Sequence, residues 1–130
     1  MTTKIPLQEN PIIDKTFHFA VSILKFSQKL QDQKHFVLAR QLQRSGTSIG
    51  ANAREAQNAE SKVDFIHKFK VAAKEADETE YWLLLSNEIV TDDTIQDLLD
   101  ELKIIQKNIT KIIATSKNQL ANKQIDKLTN

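Results

Sequence analysis

The chain has 130 residues, no cysteine, two glycines, two prolines and a formal charge of +1. It therefore has no disulfide framework and no thiolate site, and near-neutrality argues against an overall basic nucleic-acid binder while leaving a local patch open. No apolar run approaches the roughly 20 residues that span a bilayer, and the opening "MTTKIPLQENP" lacks the apolar stretch of a signal peptide. A single cytoplasmic domain is expected. Ala, Leu, Ile, Lys, Glu and Gln dominate, which is an all-α composition.

Asn10-Pro11 predicts a helix start, with a capping side chain followed by proline in the first turn. The first helix is expected over 11–30, and "QDQK" is the first break. A second helix is predicted over 35–60. Ser61 with Asp64 resembles a capping box and opens a third helix over 62–89. Thr91, Asp92 and Asp93 then start a fourth over 92–116, with acidic residues where the helix dipole favours them. The polar tail 117–130 is expected to fray, with Leu120 as its one means of extending the helix. Three short connections between long helices force neighbours to run antiparallel. The reading is an all-α, antiparallel up-down-up-down four-helix bundle. Ile95, Leu98, Leu102, Ile105, Ile109 and Ile112 give the last helix its seam.

Both glycines, Gly46 and Gly50, fall inside the second helix, where each costs about 1 kcal/mol relative to alanine. At about 100° per residue they share an arc with Leu38, Leu42, Ser45, Ile49, Ala53 and Ala56. They read as packing glycines, with a phenylalanine of the third helix expected to fill the space they leave. A phosphate-cradling loop fails on pattern, because no Lys-Ser/Thr follows the second glycine and no strand precedes it.

Two helices carry more apolar surface than one core needs. On the first, Ile13, Phe17, Ala20, Val21 and Leu24 form one stripe, and Ile12, Phe19, Ile23, Phe26 and Leu30 form another. Together they cover roughly 220° of the circumference, against the 100° or so that suffices for one core. Ile12, Phe19, Ile23, Phe26 and Leu30, with Trp82 from the third helix, are therefore the expected subunit interface.

Arg40, Arg44 and Arg54 lie in a narrow sector of the second helix, and the third offers Glu75, Glu78 and Glu80. Interhelical or intersubunit ion pairing is one reading; a phosphate-binding arginine stripe is the other. Glu80 projects into the apolar arc and is expected to meet an arginine or a hydroxyl such as Ser45 or Ser48. Catalysis has little to stand on. A di-iron bundle needs paired Glu-x-x-His motifs, whereas Asp64-x-x-His67 occurs once, and His18 and His35 fall on other helices. No cofactor, metal or enzymatic activity is expected.

Residues Arg44-Ser45, Ser48-Ile49, Ala51-Asn52, Glu55, Ser61 and Asp64-Phe65 form a familiar pattern, continued by "AAKEA" from Ala72 and "ETEYWL" from Glu78. This stretch resembles the four-helix-bundle family named after proteins encoded in intervening sequences of bacterial 23S rRNA genes. The resemblance spans nearly all of the second and third helices; the first and fourth fit by pattern. It implies a ring-like homopentamer and little about activity. A related branch, the accessory proteins of diversity-generating retroelements, is similar in fold and binds reverse transcriptase and nucleic acid through a strongly basic surface; the present chain departs from it in charge. Two functional readings follow: a non-enzymatic oligomeric scaffold with a protein partner, or a nucleic-acid-binding oligomer using the arginine stripe.

Overall fold

The computed structural model of the protein describes residues 10–129. Among them are four helices and no strand: α1 Pro11–Asp32, α2 Phe36–Ala56, α3 Lys62–Ile89 and α4 Thr94–Thr129. The starts follow the local chemistry read above. The Asn10 side chain accepts the Ile12 N–H, Ser61 Oγ accepts the Asp64 N–H at 3.0 Å, and Asp92 Oδ1 accepts the Thr94 N–H at 2.9 Å. Each satisfies a backbone donor that the first turn leaves without a partner.

Helix α1 ends in a Schellman motif. The Lys34 N–H bonds the Gln31 carbonyl at 2.9 Å and the His35 N–H bonds the Leu30 carbonyl at 2.8 Å. Lys34 therefore takes a left-handed φ of 67°, the conformation that glycine usually supplies.

Every pair of sequence neighbours packs antiparallel. Gly46 faces Ile23 and Gly50 faces Thr16, so α2 advances as α1 recedes. Ser45 meets Thr79 while Glu55 meets Lys68, which sets α2 against α3. Gln106 reaches Asp77 while Gln119 reaches Lys62, which sets α3 against α4. Helix α4 closes the ring on α1, and among the described residues no two Cα atoms within 8 Å join α1 to α3 or α2 to α4. The core lies on the bundle axis, where Phe19, Ile23, Phe26, Leu42, Ile49, Phe69, Leu83, Leu98 and Leu102 are almost fully buried.

Four expectations need correction. Helix α2 stops at Ala56, not at residue 60, because the next N–H groups turn back to carbonyls three residues earlier, Asn58 to Glu55 and Ala59 to Ala56. Helix α4 runs through the tail to Thr129, since Lys, Gln, Ala and Leu favour helix and no glycine or proline stops it. The glycines face α1, so Ile23 and Thr16, not a phenylalanine of α3, occupy the space they leave. Finally, the expected interface residues Ile12, Phe19, Ile23, Phe26 and Leu30 are buried in the core of one chain. They form the stripe facing the axis; of the other stripe Ile13 is buried as well, and Phe17, Ala20, Val21 and Leu24 remain toward the surface.

Candidate functional site

The charged residues singled out above meet on one flank of the bundle. Position 44 of α2 lies opposite the middle of α3, and Arg44 bridges two successive turns there. Its Nη2 pairs with Glu78 Oε1, and its Nη1 lies 3.9 Å from Glu75 Oε2. Glu78 also accepts the indole N–H of Trp82 at 3.3 Å. The Glu75 carboxylate is mostly buried, and its Oε2 has no hydrogen-bond partner, so the arginine charge is what compensates it. Behind this cluster, Thr79 donates to Ser45 Oγ at 3.0 Å, and Ser45 donates to the Gln41 carbonyl at 3.0 Å. Both buried hydroxyls are therefore satisfied.

The three arginines do not act as one stripe. Arg44 turns toward α3 and is neutralised. Arg54 turns the other way and lines a groove between α1 and α2. Arg40 and Arg54 are exposed and have no carboxylate within 4.0 Å among the described residues. Glu80 meets neither an arginine nor Ser45 or Ser48; its Oε1 accepts from Gln106 Nε2 of α4 at 3.5 Å. Trp82 is half-buried against the core, with its ring centroid 5.0 Å from that of Tyr81.

The α1–α2 groove is the more open feature. Ile13, Phe17 and Ala20 form one wall, Gly50 and Ala51 the other, and Arg54 stands at its side. Phe17 and Leu24, two turns apart on α1, are each 48% exposed, with Val21 between them. Sequence reasoning identified this stripe but assigned the partner-facing role to its neighbour. Only the placement of α2 and α4 decides which stripe points inward.

Titrating groups with displaced affinities lie elsewhere. Hydrogen bonds from Thr94, with smaller help from Lys29, hold the Asp92 carboxyl below the usual aspartate range. Glu101 is pushed up by partial burial and by Asp97, against a smaller opposing effect of His18. Glu101, His18 and Asp14 share a groove between α1 and α4, where His18 Nδ1 lies 3.3 Å from Asp14 Oδ1. Among the described residues no group of three or more His, Asp or Glu side chains is placed to hold a metal ion, and no helix is long and apolar enough to cross a membrane. What this geometry offers is binding surface: an apolar strip on α1 and an ion-paired flank on α2–α3.

One solved structure is similar over most of this length. It is a protein of unknown function from the S23 ribosomal protein family of Bacteroides thetaiotaomicron, 45% identical, with a TM-score of 0.74. The match covers 78% of this chain and 97% of that one. No curated protein matches the sequence. A family model described as 23S rRNA-intervening sequence protein matches residues 8–111, most of the bundle. The chain belongs to the 23S rRNA-intervening sequence protein family.

Proposed function

We propose that the protein is a non-enzymatic, cytoplasmic, homo-oligomeric helical bundle that serves as a scaffold or interaction module. The observation that carries this reading is the strip of Phe17, Val21 and Leu24 on α1, with both large side chains half-exposed beside the small-residue wall of α2. Exposed apolar strips of this kind mark association surfaces. A second copy of the chain is the proposed occupant, and the family resemblance supports a ring-like homopentamer. The rival reading, phosphate binding along the Arg40, Arg44 and Arg54 stripe, has less support. Its middle residue is already paired with Glu75 and Glu78.

Native mass spectrometry of the untagged protein tests the proposal. A pentamer is expected, and Phe17→Ser combined with Leu24→Ser should lower the mass to that of smaller species while helicity is kept. A monomeric wild type would overturn the reading. A variant that keeps the full assembly would move the interface away from α1.

A further inference from the structure

We propose that the seam between the start of α3 and the end of α4 binds the phosphate backbone of nucleic acid without reading its sequence. The chain distributes its charge unevenly. From Glu75 to Glu101 it carries ten acidic residues and no lysine or arginine; from Lys103 onward it carries six lysines and a single acid, Asp126. Antiparallel packing then lays the lysine-rich end of α4 beside the first turns of α3, which add Lys62 and Lys70.

Three adjoining grooves run along this seam. Lys62, Lys123 and Lys127 line the first with Ser61 and Gln119. Lys62 and Lys111 line the second with Thr115. His67, Lys70 and Lys117 line the third with Leu120. No carboxylate lines any of the three. In the groove between α1 and α4, by contrast, Asp14 and Glu101 stand beside Lys15. Among the described residues none of these six lysines has a carboxylate within 4.0 Å; the nearby Lys68 does, at 3.2 Å from Glu55. Lys62 is instead steadied by neutral groups, donating to Gln119 Oε1 at 3.0 Å and standing 5.2 Å from the Phe65 ring centre.

Like charges gathered without counter-charges repel one another and hold mobile counterions, which a polyanion replaces with a gain in entropy. The form of the surface favours a linear polyanion over a point anion. From Lys111 to Lys127 the lysines extend over about 24 Å of helix at about 1.5 Å per residue. Lysine supplies point charges suited to phosphates but no rigid fork for base edges, so contacts here position a strand without specifying its sequence. Lys117, Lys123 and Lys127, half of these lysines, lie beyond residues 8–111 that the family match covers. The surface lies within one chain and does not depend on the oligomeric reading.

The test is fluorescence anisotropy with a labelled oligouridylate and a labelled DNA duplex, each titrated over a range of salt. The wild type should bind at least one probe, more weakly as salt rises, and the difference between probes would identify RNA or DNA as the preferred source of phosphate. Replacing Lys117, Lys123 and Lys127 by Gln should weaken binding at low salt by about tenfold or more and flatten the log–log salt slope by about 2 for a single strand. These side chains are exposed, and an unchanged circular dichroism spectrum confirms that the fold is kept. Arg40→Gln with Arg54→Gln should bind like the wild type. The proposal is overturned if neither probe binds, if the lysine variant binds as the wild type does, or if the arginine variant is the one that loses binding. The Phe17→Ser, Leu24→Ser protein keeps the lysine surface, so loss of assembly and loss of binding are read separately.

Discussion

A Cβ placed on Gly46 would stand 2.7 Å from Cγ2 of Ile23 and 3.0 Å from its Cγ1. Ile23 is fully buried and branched at Cβ, so it has no free rotamer to move into. Overpacking of this kind costs about 1–3 kcal/mol, and the better helix propensity of alanine returns at most about 1. Gly46→Ala should therefore lower stability by about 1–2 kcal/mol in urea unfolding. At Gly50 the nearest atom is Thr16 Oγ1 at 3.2 Å, a milder approach. Gly50→Ala should fall close to neutral, while Gly50→Leu should cost several kcal/mol. A Gly46→Ala protein more stable than wild type would show that the α1–α2 approach relaxes freely.

The two stripes of α1 should separate in experiment. Phe19 and Phe26 are each 1% exposed, so Phe→Ala at either position should cost about 3–5 kcal/mol and reduce the helical circular dichroism signal at modest urea. The pair Phe17→Ser and Leu24→Ser should leave that signal close to wild type. If the Phe19 variant were as stable as the Phe17 variant, the assignment of the core face would be wrong.

This pair also marks the limit of what the sequence conveys. Both stripes of α1 have helical spacing and similar side chains, so periodicity alone does not rank them. The ranking comes from where α2 and α4 sit. The four helices, their starts at Asn10 and Ser61 and the seam of α4 were legible because caps and periodicity act locally. The partner of Arg44 was legible as a class, a glutamate of α3, but not as the pair Glu75 and Glu78, since that depends on register between helices. The length of α4 was missed because a polar tail of helix-forming residues buries little, so the hydrophobic pattern is silent there.

Lys34 offers a gain in stability. Its φ of 67° carries a Cβ penalty that glycine lacks, while the Schellman hydrogen bonds use only backbone atoms. Lys34→Gly should raise stability by about 0.5–1 kcal/mol. A drop in the thermal midpoint would mean that the lysine side chain contributes more than its backbone strain removes.

Asp92 should make the start of α4 sensitive to acid. Its carboxylate holds the Thr94 N–H and lies 3.5 Å from Lys29 Nζ, and its folded pKa is lowered. A lowered folded pKa stabilises the protein above the unfolded value of about 4, and that contribution is lost as pH falls through the folded value. At pH 7 Asp92→Ala should cost about 1 kcal/mol, and the gap between wild type and variant should close below about pH 4. Unfolding midpoints measured between pH 7 and pH 3 check this. A gap independent of pH would assign the effect to something other than the ionised carboxylate.

Helix α4 has 36 residues against 22 in α1, so at about 1.5 Å of rise each it is longer by about 20 Å. Every residue from Ala121 to Thr129 is exposed, with Leu128 at 86%. The end of the helix is thus a cantilever, clamped in the bundle and touched near its root only by the start of α3 at Ser61 and Lys62. A fluorophore on its last turn would sweep a cone whose width measures bending of the rod, whereas one near Ile109 would tumble with the whole particle. Comparing the two anisotropy decays would give the stiffness of the arm and the size of the body that carries it.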